Sequence, residues 1–505
     1  MFRSSKMRQR GATLILFTFL TAMLMIPIIG LAIDGSIVFW MRTKLTTAVD
    51  AAALATARGL NVNQTLGSQN TNANSTGQSY FWANFPSGMM GTTVVGGEPT
   101  VNIASSTNST LTATVSASLT VPLYFMRLLH FNSITLGAVG TASRRVTNVI
   151  LVIDRSYSMQ QANACSTMIA SAQNFVNDFV DGRDTLGLIT FQATANVDFA
   201  PTTSFKSSNP NLNSVLGTAV CTGYTSTASA LNLAYTKLQN LNQPLALNVI
   251  VLFTDGNADS FAATIPSSLL KTKSDTRYDA FNTTTSETVG ATGCSSTDSF
   301  SGVILDVDGA QDATGYTGGM YSMATEPITW SSPYTSSTGV PFPASEISAP
   351  SGSCSFAGSS PYGGYPYNSL QIRYDVAYLP STDYYGNSLT GHWALDYYPS
   401  NDPNYANKPR IDTPNSVMNA ALNAADNQAN TIRSNTTLNP VIYAIGLGGT
   451  QYQQINTDFL ERIANDPRSS NYNSSQQTGE FIYCTASGLA AAFQQIASQI
   501  LRLSS

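Results

Sequence analysis

With 505 residues the chain is too long for one ordinary hydrophobic core, which implies two or three domains. Only 10% of its residues are charged and its net charge is −5, with Lys and Arg scattered, so no nucleic-acid footprint is present. Five cysteines (Cys165, Cys221, Cys294, Cys354, Cys484) form no Cys-x-x-Cys pair, and only His130 and His392 are available, so neither a zinc site nor a histidine-based catalytic centre is indicated. Residues 1–10 carry Arg3, Lys6, Arg8 and Arg10 and read as a cytoplasmic basic tail. Residues 11–33 follow as a transmembrane helix, because Ala12–Ile33 holds no charge and 22 residues suffice to cross about 30 Å of hydrocarbon. The basic side stays in the cytoplasm, and Asp34 onward lies outside. A cleaved signal peptide is the alternative, but the apolar run exceeds the usual core of about 7–15 residues and shows no convincing cleavage site.

The helix continues beyond Asp34 with Ala48, Ala52 and Ala55 on one small-residue face. Such a face allows close packing, in the favoured reading on the protein's own small domain, otherwise on a partner subunit. Residues 61–78 are rich in Asn, Thr, Ser, Gln and Gly and read as a loop. Strand-like runs follow at 93–95, 101–103, 111–119 and 134–139. Residues 34–145 thus predict a small, pilin-like α+β module, one long helix laid on a short antiparallel sheet, closed by the junction Arg144-Arg145.

From residue 146 the elements alternate in the βαβ manner of a mainly parallel sheet. Val149–Asp154 reads as a buried strand, Met168–Val180 as a helix, and 184–199 as a hairpin. Thr227–Leu241 is an amphipathic helix, Val249–Phe253 a second buried strand ending in Thr254-Asp255-Gly256, Val441–Leu447 a third, and 487–503 a closing helix. The pattern occupies 146–256 and 412–505 and is broken by an insertion, 257–411, that holds 14 of the 23 tyrosines. The insertion starts at the strand end of Asp255, so it is expected to emerge at that edge as an ordered cap with a strand at 372–379. A surface loop is the alternative. Asp306–Asp312 resembles a calcium loop but lacks the full ligand spacing.

Oxygen donors gather at the strand ends. Asp154, Ser156 and Ser158 follow the first strand, Thr225 precedes a helix, and Asp255 follows the central strand. In an open parallel sheet the carboxyl ends of the strands share one edge, where ligands bind. Two carboxylates and three hydroxyls suit a hard divalent cation, Mg²⁺ or alternatively Mn²⁺ or Ca²⁺, with water or a ligand carboxylate completing the shell. An isolated Asp-x-Ser-x-Ser would be weak in so Ser-rich a chain; three matches in order, each at a strand end, are not.

Two resemblances emerge from these residues. Gly11-Ala12-Thr13, Gly30-Leu31-Ala32-Ile33-Asp34-Gly35 and the run from Thr46 to Ala55 resemble the amino terminus of TadE/TadG-like proteins, membrane-anchored components of the Tad (Flp) pilus assembly system. Pseudopilin relatives that are cleaved carry Glu five residues after the cleaved Gly; counted from Gly11 that position is Leu16, which favours a permanent anchor. Asp154, Ser156, Ser158, Thr225 and Asp255 are similar to the metal-ion-dependent adhesion site of von Willebrand factor A (VWA) domains, with Tyr157 where that family usually has Gly. This second resemblance implies an α/β fold with a doubly wound, mainly parallel sheet, flanking helices and the large insertion. It also implies that Ser156, Ser158 and Thr225 contact the ion directly, and the two Asp directly or through water.

Together the resemblances imply a non-enzymatic, single-pass protein of the bacterial inner membrane, its carboxyl-terminal part periplasmic or extracellular. It would bind a pilus or envelope protein that offers an acidic side chain to the metal. A surface adhesin reading an extracellular ligand through the same site and the Tyr-rich cap is the alternative. An enzyme finds no support, since no paired acid and base, activated nucleophile or phosphate loop is visible. A cytosolic chelatase subunit conflicts with the anchor. In an oxidising periplasm, Cys165–Cys221 and Cys294–Cys354 are the expected disulfides, with Cys484 free.

Overall fold

The computed structural model describes residues 6–504 apart from 61–65, 108–109, 412, 414, 449–454 and most of 270–375. The chain divides between Val146 and Thr147 into two compact units.

The first unit begins with α1 (Lys6–Gly59), 54 residues long. Its apolar part reaches a mean hydropathy of 2.5 over an 18-residue window, long and apolar enough to cross a membrane. Side chains there, such as Phe17 and Leu24, are exposed. Beyond residue 37 the helix changes character. Met41, Leu45, Ala48, Val49, Ala52 and Ala53 are buried in one core with the sheet. That sheet is antiparallel: β3 (Thr110–Pro122) is central, β4 (Ser133–Arg145) lies on one side, and β2 (Thr100–Thr107) and β1 (Thr93–Val94) lie on the other. Along β3, alternate residues from Leu111 to Val121 face the helix and are buried, the period of two expected of a one-sided sheet. Gly140 of β4 permits the close approach: a Cβ there would lie 2.6 Å from the Val49 carbonyl oxygen. The small-residue face of α1 therefore packs on the protein's own sheet.

Residues 61–78 are not a loop throughout. Leu66–Asn84 forms a second helix, α2. Its polar composition hid the pattern, but Ala73, Phe81 and Phe85 are buried, and Gly77 lets the backbone come close to Thr56 and Val101. A Cβ at Gly77 would lie 2.7 Å from Val101 and 2.9 Å from Thr56.

The second unit is built on a six-stranded sheet. Its strands are β5 (Thr147–Asp154), β6 (Thr185–Phe191), β7 (Ala195–Thr202), β8 (Leu247–Thr254), β11 (Val441–Leu447) and β12 (Phe481–Cys484), once β9 (Ser260–Pro266) and β10 (Ser299–Leu305) are numbered in chain order. The order across the sheet is β12-β11-β8-β5-β6-β7; only β7 runs antiparallel, paired with β6. Every residue of β5 and β8 is buried, as expected of strands covered on both faces. Val149, Leu151 and Ile153 point to one face with α4 (Cys165–Asn177) and α9 (Leu489–Ser504), while Ile150 and Val152 point to the other with α6 (Thr227–Leu241) and α7 (Ser416–Arg433). Among the described residues three short helices complete the set: α3 (Tyr157–Gln161), α5 (Leu212–Leu216) and α8 (Thr457–Ala464). The fold is the α/β arrangement expected, a doubly wound, mainly parallel sheet with flanking helices.

The flanks of the insertion depart from the cap reading. β9 and β10 pair antiparallel, and Phe261, Ala263, Ile265 and Ile304 join the core on the α6–α7 face. Leu379, Leu389, Leu395 and Ile411 join the same core. Both ends of the insertion are thus part of the domain's own packing. Of the strand expected at 372–379, Gln371–Ile372 forms a two-residue strand, Val376 is a bridge residue, 373–375 lie outside the described residues, and 377–379 are irregular. Val376 and Leu379 are buried in the core, and the amides of Ala377 and Leu379 donate to the carbonyls of Leu269 and Pro409 at 2.8 and 3.1 Å. Asp306–Asp312 lies outside the described residues.

Candidate metal centre

β5 and β8 are neighbours and parallel, so Asp154 and Asp255 leave the sheet side by side at its carboxyl edge. Asp154 is fully buried. Its Oδ1 accepts the Ser156 amide at 2.8 Å, and its Oδ2 accepts the Thr254 hydroxyl at 2.6 Å. The first bond turns the chain tightly and carries Ser156 and Ser158 back over the sheet edge, their hydroxyls 2.8 Å apart. Ser158 donates to Oδ1 of Asp255 at 2.8 Å, and Ser156 approaches the same oxygen at 3.4 Å. Four of the five expected residues are therefore linked directly.

Thr225 arrives by a different route. Its loop is clipped to the Asp154 loop by two backbone bonds, Thr222 N–H to the Arg155 carbonyl at 2.7 Å and Tyr157 N–H to the Gly223 carbonyl at 2.9 Å. A disulfide between Cys165 and Cys221, Cα atoms 6.1 Å apart, fastens the same two segments. This is one of the two expected disulfides; Cys294 and Cys354 lie outside the described residues, and Cys484 is free and buried. Gly223 has φ +91°, and a Cβ there would lie 2.2 Å from Oε1 of Gln192, so only Gly fits this turn. Asp259 then binds Thr225 reciprocally: its carboxylate accepts the Thr225 amide, and its own amide donates to the Thr225 carbonyl at 3.1 Å.

Sequence reasoning missed three contributors: Thr254, Asp259 and Arg155. Asp259 stands four residues after Asp255, a spacing that could have drawn attention to it. Arg155 is buried, donates from Nε to Thr190 Oγ1 at 2.9 Å, and has Asp198 and Asp154 as its neighbouring charges. Tyr157, by contrast, is 40% exposed, so its ring turns to solvent beside the site.

The electrostatics are those of an anionic pocket with too little compensation. Burial holds the Asp154 carboxyl above the usual carboxylate range, against the hydrogen bonds from Thr254 and Ser156. Burial, and after it the charge of Asp154, holds Asp255 higher still. Among the five expected residues two polar atoms are left over: Thr225 Oγ1 and Asp255 Oδ2 are buried and have no hydrogen-bond partner. Buried polar atoms are mostly paired, so two unpaired oxygens beside two carboxylates at the strand ends are open to a ligand. Two hard carboxylates and three hydroxyls, two of whose oxygens are still unpaired, fit a divalent cation of the Mg²⁺ class. Among the described residues no three His, Cys, Asp or Glu side chains gather to hold a metal, here or elsewhere, so the donor set at this site rests on two carboxylates and hydroxyls.

An open sheet whose strand ends converge in this way defines an α/β domain of the VWA type. Residues 149–257 match the von Willebrand factor type A domain family, and residues 11–59 match the Flp pilus-assembly TadE/G-like family. The chain thus carries a TadE/G-like amino-terminal segment and a downstream VWA domain. Among solved structures, the chain is similar to the vWF domain of the type V pili tip protein Mfa5 from Porphyromonas gingivalis, at 17% identity and a TM-score of 0.37, over 72% of this chain and 98% of that one. It is also similar to the pilus adhesin SpaC from Lactobacillus rhamnosus GG, at 12% identity and a TM-score of 0.34, over 81% of this chain and 35% of that one. The PilB minor pilin from Streptococcus sanguinis matches at 13% identity and a TM-score of 0.34, over 82% and 79%. A comparison with curated proteins gives no match.

Proposed function

We propose that this protein is a non-enzymatic, single-pass component of Tad-type pilus assembly that grips a protein partner through a metal-dependent site. Asp154, Ser156, Ser158, Thr225 and Asp255 would hold the ion, Mg²⁺ or else Mn²⁺ or Ca²⁺. Bound there, the cation supplies an open coordination position for a carboxylate oxygen of an acidic side chain on a pilus or envelope partner. The chain's own groups do the rest. Asp154 fixes the turn that presents the two Ser hydroxyls, Asp259 and the Cys165–Cys221 bridge hold Thr225 beside them, and Tyr157 offers an exposed ring at the rim.

The observation that carries this reading is the pair of buried, unpartnered oxygens, Thr225 Oγ1 and Asp255 Oδ2. The TadE/G-like match of residues 11–59 and the apolar helix support an anchor in the inner membrane, with the VWA domain on the periplasmic or extracellular side. The test is a pull-down from solubilised membranes with wild type and Asp255→Asn, with Mg²⁺ and with EDTA. Partners retained only by wild type with Mg²⁺ support the reading; partners retained equally in all four samples overturn it.

A further inference from the structure

The connection between β3 and β4 is a second apolar surface on the first unit. Leu128 is 73% exposed, Phe131 60%, Tyr124 52% and Leu129 50%. Single exposed apolar residues are ordinary on a protein surface, but a cluster of this size within one short loop marks a site of contact. No chemistry of the VWA domain uses it.

This loop is fixed to α1, and the fixing point is informative. Asp34 is 2% exposed and accepts three backbone amides of the loop: Tyr124 at 3.0 Å, Phe125 at 3.0 Å and Met126 at 2.7 Å. One helical turn earlier, Gly30 lies against Phe125; a Cβ at Gly30 would stand 2.5 Å from the Phe125 Cβ. The four residues between Gly30 and Asp34 correspond to about 6 Å along the helix axis. The loop therefore reaches alongside the apolar stretch of α1 rather than stopping at its end. The three amides also satisfy the Asp34 carboxylate, which removes the penalty a bare charge would meet at the edge of hydrocarbon.

We infer that residues 123–132 are immersed in the lipid interface, in the leaflet where α1 leaves the bilayer. This rests on the reading that α1 crosses a membrane. Phe125, packed over the buried Gly30, brings the loop's exposed apolar surface beside the exposed Ile29 and Leu31 of the helix, so both share one solvent. Its composition suits that depth. Tyr124, Phe125 and Phe131 are aromatic, as at membrane–water interfaces, and the exposed Arg127 and His130 can reach lipid phosphates. The occupant is lipid; an apolar face of another pilus subunit is the competing outcome.

The experiment uses the full chain in vesicles of phosphatidylethanolamine and phosphatidylglycerol that contain a diazirine-bearing lipid. Photolabelled residues are mapped by mass spectrometry. The control is Leu54, an exposed residue of the same helix 20 residues past Asp34. Labelling of Leu128, Leu129 and Phe131 is expected to exceed that of Leu54 at least ~10-fold, since burying one Leu or Phe side chain is worth that factor or more. Labelling of residues 14–33 with none on 123–132 would overturn the inference and leave the anchor intact. Absence of label on residues 14–33 would overturn the anchor itself. Labelling of 123–132 that disappears at high protein-to-lipid ratio, replaced by protein–protein cross-links, would assign the surface to another subunit instead.

Discussion

Ser158 donates its hydroxyl hydrogen to Oδ1 of Asp255 at 2.8 Å, joining two strand ends that are 97 positions apart in the chain. The bond satisfies only half of that carboxylate: Oδ2 remains buried without a partner, as does Thr225 Oγ1. A buried polar atom left unpaired costs about 1–3 kcal/mol. The protein carries that cost at the edge where its VWA domain is expected to bind an ion.

Thr225→Val separates the two roles of this position. The substitution keeps the shape and deletes an unpartnered hydroxyl. Without metal, the variant is expected to melt at the same temperature as wild type or higher, a gain of up to about 1 kcal/mol. With Mg²⁺, wild type gains stability by mass action, about 2.7 kcal/mol at 100 times its Kd, and the variant gains much less. Thermal melting of both proteins across a Mg²⁺ titration makes the comparison. An equal response to Mg²⁺ would remove Thr225 from the site.

Gly223→Ala tests the turn that delivers Thr225. Gly223 is left-handed at φ +91°, and the new methyl would collide with Gln192 Oε1. A loss of about 1–3 kcal/mol in stability is expected, because both backbone conformation and packing oppose the methyl. Since the Gly223 carbonyl accepts the Tyr157 amide, Mg²⁺ affinity should fall as well. Melting and calorimetric titration read the two effects separately. A variant that melts and titrates like wild type would show that the loop has other conformations available.

How much of this was legible in the sequence depended on burial. β5, β8 and β11 stood out because strands covered on both faces read as unbroken apolar runs, and Asp154 and Asp255 stood out because they end two of them. α6 was legible to its end residues through its apolar spacing. α2 was not, because its buried stripe is sparse and includes Gly77, a residue that usually argues against a helix. α7 buries mostly Ala, with Val417, Leu422 and Ile432 as its larger aliphatic residues and Asn423 and Gln428 among them, so its core face is weakly marked. The spacing of Asp259 from Asp255 is a signal, but its role was hidden because its partner is the backbone of Thr225, 34 positions away. The flanks of the insertion escaped because Leu379, Leu389, Leu395 and Ile411 follow neither a helical nor a strand period, yet all reach one core.

The Cys165–Cys221 bridge should stabilise both the fold and the ion loops. Its removal by Cys165→Ala together with Cys221→Ala is expected to cost about 2–4 kcal/mol, chiefly by enlarging the unfolded ensemble. The backbone bonds beside it, Thr222 to Arg155 and Tyr157 to Gly223, the Arg155 side chain on the Val220 carbonyl, and Asp259 on Thr225 then have to hold the loops without it. Mg²⁺ affinity should weaken even under conditions where the double variant is fully folded. Calorimetric titration at a temperature well below its melting point checks this. Unchanged affinity would confine the bridge to a stabilising role.

Asp466 provides a pH test remote from the ion loops. It is 2% exposed, and its two oxygens accept Arg468 through the backbone amide, Nε and Nη2, together with the Phe481 amide at 2.9 Å. The last bond anchors the first residue of β12. Burial alone would raise this carboxyl, but the hydrogen bonds from Arg468 and Phe481 outweigh it and hold the group below its ordinary value. A lowered folded value means that the stabilisation is present above the unfolded pKa, near 4, and is lost as pH falls through the folded value. Asp466→Asn is therefore expected to cost about 1.5–3 kcal/mol at neutral pH, the range for hydrogen bonds to a charged group. The gap between variant and wild type should begin to close below about pH 4 and keep narrowing as the wild-type carboxylate is protonated. Thermal melting of the detergent-solubilised chain from pH 7 downward follows that gap. A gap of constant size down to pH 2 would mean that Asp466 acts through packing, and that its charge contributes nothing to the anchoring of β12.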